Sequence, residues 1–115
     1  MARQGTTPIV TLDVAEDFDN CNVYVTIDQD GTQVTKASRT SPDIEITKHY
    51  DDSGDFDYSK VAVYLTQEET LGFDIGRARV QIRWIDILDN AYATNIKSFK
   101  IDESLLESVI EYGNL

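Results

Sequence analysis

Residues 76 to 98 read Gly76-Arg77-Ala78-Arg79-Val80-Gln81-Ile82-Arg83-Trp84-Ile85-Asp86-Ile87-Leu88-Asp89-Asn90-Ala91-Tyr92-Ala93-Thr94-Asn95-Ile96-Lys97-Ser98. Ala78, Val80, Ile82 and Trp84 fall on one side of this stretch, and Arg77, Arg79, Gln81 and Arg83 on the other. A period of two marks a β-strand with one face in apolar surroundings and one in water. Leu88-Asp89-Asn90 follows, residue types that favour turns and tolerate left-handed backbone. Ala91 to Ile96 then reads as the returning strand of a hairpin. Trp84, on the best-patterned strand, is the natural core anchor.

Upstream, the same alternation recurs in shorter pieces. Ile9 to Val14 is a first strand with Val10, Leu12 and Val14 on one face, and Cys21 to Asp28 a second with Cys21, Val23, Val25 and Ile27. Gln29-Asp30-Gly31-Thr32 is a tight turn, because Asp-Gly supplies the positive backbone angles of a two-residue hairpin loop. It leads into a third strand, Gln33 to Ala37. Ser38 to Asp43 is loop by composition and Ile44 to Thr47 a short strand. Lys48 to Ser59 is the most polar part of the chain and is expected as an exposed loop. Lys60 to Thr66 is the fifth strand. Thr66-Gln67-Glu68-Glu69 carries the capping-box signature of a helix start, and Gly72 limits that helix to about one turn.

Downstream of the hairpin, Ile96 suits one face while Phe99 and Ile101 suit the other, which a bulge near Lys97-Ser98 would reconcile. From Asp102 the period changes: Asp102, Glu103 and Ser104 suit a helix N-terminus, and Leu105, Leu106, Val109 and Ile110 line one face. The expected fold is all-β, an immunoglobulin-like antiparallel β-sandwich of about seven strands with a short C-terminal α-helix. A flexible arm occupies residues 1–7, the sandwich 8–101, and the helix and tail 102–115.

A chain of 115 residues suits a single domain. Ordering it costs on the order of 100–200 kcal/mol of conformational entropy, so most of its apolar side chains are needed in one core. Ten basic and twenty-one acidic residues give a net charge of −11, which disfavours nucleic acid as a partner. No run reaches the roughly 18 to 20 apolar residues of a membrane span. The expectation is a cytoplasmically made protein without a membrane partner. The charge is uneven: Asp13 to Asp30 holds six acids and no base, Arg77 to Arg83 three arginines and no acid. Those arginines either pair with acids on a neighbouring strand or face a partner.

Catalytic chemistry finds few components: one histidine, one cysteine, no phosphate-cradling glycine loop and no zinc spacing. An enzyme is not expected, nor a cofactor. Cys21 reads as a small buried residue and His49 as a surface histidine. Asp51, Asp52, Asp55 and Asp57 are weak calcium candidates, since calcium takes six to eight oxygen ligands. Their order misses the calcium-loop pattern, with no closing glutamate and the glycine two places early. Calcium or glycan binding by a β-sandwich is the alternative to an assembly role.

Leu65-Thr66-Gln67-Glu68-Glu69-Thr70-Leu71-Gly72-Phe73, then Gly76, Val80 to Asp86 and Asn90 to Thr94 carry a resemblance. In these residues the chain resembles small prophage-encoded structural proteins from the tail or baseplate region of Gram-positive tailed phages. More distantly, it is similar to the N-terminal domain of upper baseplate proteins. The resemblance implies a non-enzymatic assembly module acting in many copies, with other protein subunits or a second copy as partners, and a possible place in the virion. Arg77, Arg79, Arg83, Leu105, Leu106, Val109 and Ile110 are then the first candidates for subunit contact.

Overall fold

The computed structural model describes residues 2–102. In chain order its elements are β1 (Ala2–Arg3), β2 (Ile9–Val14), β3 (Asn22–Gln29), β4 (Thr32–Ala37), β5 (Ile44–Tyr50), β6 (Phe56–Tyr64), helix α1 (Gln67–Leu71), β7 (Gly76–Ile85), β8 (Ala91–Ala93) and β9 (Lys97–Asp102). They form a mostly β protein of two sheets. The larger runs β1-β9-β7-β3-β4 with β8 also on β7, and the smaller runs β2-β6-β5. Every pairing is antiparallel except the two-residue one of β1 with β9.

Strand β7 alternates as its sequence dictates, burying Ala78, Val80, Ile82 and Trp84 and exposing the arginines. Its buried face meets Val23, Val25 and Ile27 of β3 in the same core as Leu12, Val61 and Val63 of the smaller sheet. Phe73 closes the core after α1, and Phe18 meets the Trp84 indole edge-on, ring centroids 5.1 Å apart. Thr66 caps α1 as expected: its side chain accepts from the Glu69 amide, and the Glu69 carboxylate accepts from the Thr66 amide at 2.8 Å.

The returning strand is shorter than expected and broken in two. Arg83 faces Ala93, yet Val80 faces Lys97, so the return advances four residues while β7 advances three. The extra residue lies at Thr94–Ile96, just before the expected bulge position. It turns Phe99 and Ile101 inward, opposite Ala78 and Gly76. Asp102, expected to open a helix, ends β9 instead.

Two further expectations are corrected. Residues 2–7 are no free arm: Ala2 pairs with Ile101, the buried Gln4 donates its Nε2 to Phe73 O at 2.7 Å, and the Thr70 hydroxyl donates to Thr6 O at 2.8 Å. Most of the polar stretch Lys48 to Ser59 is strand, because β5 continues to Tyr50 and β6 begins at Phe56, leaving a short turn. Ser59 is fully buried with its hydroxyl donating to Glu16 O at 2.7 Å, and Lys48 reaches Asp19 at 2.7 Å. The two-residue loop after β3 keeps β4 beside β3 in the larger sheet, and the chain then crosses to the smaller sheet for β5 and β6.

Candidate interaction surface

Because β7 alternates, its polar side chains project together from the outer face of the larger sheet. Arg79 Nη2 reaches Asp28 Oδ2 on β3 at 2.7 Å, and Arg77 Nη1 donates to Ser98 Oγ on β9 at 3.3 Å. Hydrogen bonds from Arg79 first, and then from Gln33, hold the Asp28 carboxyl below its ordinary value. Arg83, exposed, has no ion pair among the described residues. The sequence-level alternatives for this row are therefore divided: Arg79 is paired internally and Arg83 faces outward unpaired. Arg83 borders an open trough of about 420 Å³ lined with Tyr24, Thr26, Thr35, Ile85 and Ala91. Asn22 Nδ2 donates to the Tyr24 hydroxyl at 2.8 Å, fixing one wall.

Next to this trough stands the β7–β8 loop. Asp86 Oδ1 accepts from the amides of Leu88 at 2.9 Å and Asn90 at 3.0 Å. The Asp86 amide donates to Asn90 O and the Asp89 amide to Asp86 O, each at 3.1 Å, with Asp89 left-handed at φ 63°. This closed ring of bonds holds Ile87 and Leu88 in water, 73% and 76% exposed. The arginine row was legible in the sequence; this pair was not singled out, although two adjacent aliphatics inside a turn were the available signal.

The β5–β6 loop repeats the architecture bond for bond. Asp51 Oδ1 accepts from Ser53 N at 2.9 Å and Asp55 N at 3.0 Å, Asp51 N donates to Asp55 O, Gly54 N donates to Asp51 O, and Gly54 is left-handed at φ 85°. Where one loop carries Ile87 and Leu88, the other carries Asp52 and Ser53. Asp51 thus uses one carboxylate oxygen to shape a turn. Among the described residues, no group of three or more His, Cys, Asp or Glu side chains is gathered as a metal site, so Asp51, Asp52, Asp55 and Asp57 are not drawn together.

The β2–β3 loop adds acids at the same end of the molecule. Burial first, then Asp86, Asp17, Asp19 and Glu16, push the Cys21 thiol up and away from the thiolate form that reacts. His49 is not the loop residue expected: it lies in β5, and its ring stacks on Tyr58 with centroids 4.6 Å apart. Leu105, Leu106, Val109 and Ile110 of the expected C-terminal helix lie outside the described residues. Among the described residues, no helix is long and apolar enough to cross a membrane. Comparison with protein-family models, curated proteins and solved structures returned no match.

Proposed function

We propose that the chain is a non-enzymatic β-sandwich module that works by protein–protein contact within a larger assembly, as a tail or baseplate component of the phage type. The observation that carries the reading is the β7–β8 tip, where a rigid loop holds two aliphatic side chains in water beside an open, arginine-bordered trough. Exposed apolar groups on a fixed frame favour association, because burying them releases water and little conformational freedom remains to be lost. Arg83, without an ion pair among the described residues, adds directional attraction for an acidic surface. The Cys21 thiol, pushed up and away from its reactive thiolate form, supports the non-enzymatic part of the reading, which otherwise rests on the sequence. The phage setting comes from the resemblance in residues 65–94 and from no other observation.

Sedimentation tests the reading. With the tagged chain expressed in cells producing tailed particles, it is expected in the fast-sedimenting fraction alongside tail proteins. A chain found entirely in the slow, free fraction overturns the assembly role.

A further inference from the structure

We propose that the β7–β8 tip of one molecule docks into the outer-face trough of a second copy of this chain, Ile87 and Leu88 entering against Tyr24 and Ile85 while Asp89 meets Arg83. The proposal rests on the assembly reading above and names the partner. Its first support is the molecule's own control loop. The β5–β6 hairpin builds the same turn with Asp52 and Ser53, so the turn itself does not require aliphatic side chains at those positions. Ile87 and Leu88 reach no core in their own molecule, being 73% and 76% exposed. A pair of adjacent aliphatics held outward in this way marks a contact site.

The choice of partner follows from charge. At a net charge of −11, two copies repel each other in most orientations. The orientation that reverses this brings an acidic end to the arginine face. The tip stands at such an end, with Asp89 beside the aliphatic pair and Asp86, Asp17, Asp19 and Glu16 around Cys21; Lys48, paired with Asp17 and Asp19, and Arg39, in the groove with Asp86 and Asp89, offset these acids only in part. Neither the Asp89 carboxylate nor the Arg83 guanidinium has an ion-pair partner among the described residues. Each supplies what the other lacks at short range, within the screening length of about 8 Å. The same acids disfavour an anionic membrane as the occupant. Trough and tip are neighbours but use different side chains, Arg83 in the one and Ile87 and Leu88 in the other, so each can be disabled separately.

Light scattering across a concentration series, on wild type and two variants, tests the proposal. The tip variant is Ile87→Ser with Leu88→Ser and the trough variant is Arg83→Glu; all three positions are side chains outside the core, and circular dichroism verifies the fold. The wild type is expected to gain mass with concentration, and each variant alone to need about tenfold or more protein to do so. Mixing the two variants is expected to restore association, because one keeps its trough and the other its tip. A wild type that stays monomeric overturns self-docking, as do variants that associate like the wild type or a mixture that stays monomeric. A monomeric wild type that nevertheless enters the fast-sedimenting fraction overturns self-docking alone. Self-association without entry into particles retains the docking and removes the phage-type role.

Discussion

Thr94 satisfies both backbone groups of Ile82: its amide donates to the Ile82 carbonyl at 2.8 Å, and its hydroxyl accepts from the Ile82 amide at 3.1 Å. The hydroxyl stands in for Thr94's own carbonyl, which has turned to accept from Gln81 Nε2 at 3.0 Å. This substitution lets the return strand take in an extra residue without leaving an amide unpaired next to the fully buried Ile82 side chain. Thr94→Val is expected to cost about 1–3 kcal/mol, the penalty of an orphaned buried donor. Thr94→Ser keeps the oxygen and is expected near wild type. Urea midpoints decide the matter; equal losses for Val and Ser would show that the hydroxyl is not the group that counts.

Phe18 closes the end of the core over Trp84, and Tyr92 stacks on the indole with ring centroids 5.6 Å apart. Phe18 comes from a loop and is still only 6% exposed. Phe18→Ala is expected to destabilise by about 3–5 kcal/mol, the range for large-to-small changes at buried aromatics. Indole fluorescence gives an independent readout, with emission shifting to the red as water reaches Trp84. Unchanged emission in a folded Phe18→Ala protein would mean the indole is shielded by other groups.

Lys36 joins β4 to the loop before β5 and to α1, reaching Glu69 at 2.8 Å and Asp43 at 2.9 Å. Burial pushes the Glu69 carboxyl up, but bonds from Lys36 and Thr66 outweigh it and leave the group below its ordinary 4.5. The Glu69 contribution is therefore present above pH 4.5 and lost as pH falls through the lower, folded-state value. Burial pushes Lys36 down, while bonds from Glu69 and Asp43 outweigh it and raise the amine above 10.5. That contribution is present below pH 10.5 and lost as pH rises through the folded-state value. Glu69→Gln keeps a side-chain oxygen for the Thr66 amide and removes the charge. It is expected to cost on the order of 1 kcal/mol at neutral pH, and its gap from wild type is expected to close in strong acid. Thermal melts as a function of pH check this; a gap constant down to strong acid would locate the loss in something other than charge.

What the sequence made legible were the local rules: the period of two in β7, the Asp30-Gly31 turn and the capping box of Thr66 and Glu69. Each is decided within a few residues, so reading neighbours suffices. Polar segments were misread where a distant partner makes them strands. Ala2 and Arg3 look like a free arm until β9, from the far end of the chain, pairs with them. Lys48 and Ser59 look like loop until Asp19 and Glu16 satisfy them. The strand order was partly readable, since a two-residue loop after β3 already keeps β3 and β4 in one sheet. In the candidate site the arginine row followed from alternation. The docking pair did not, because Ile87 and Leu88 stand out only beside a second loop of identical geometry.

That pair of loops yields a prediction in which each serves as the other's reference. Asp51 and Asp86 each accept two amide hydrogens through one carboxylate oxygen, at 2.9 and 3.0 Å in both loops. Asp51→Ala and Asp86→Ala are expected to lose similar amounts, about 0.5–2 kcal/mol, as for other side chains that cap exposed backbone amides. Giving the β7–β8 loop the residues of its counterpart, Ile87→Asp with Leu88→Ser, is expected to leave stability within about 0.5 kcal/mol, because neither side chain touches the core. Chemical denaturation of the four proteins compares them directly. A large loss from the Ile87 and Leu88 exchange would assign those side chains to the stability of their own molecule. Retained stability combined with lost self-association would separate the loop's two parts, the aspartate holding its shape and the aliphatic pair making the contact.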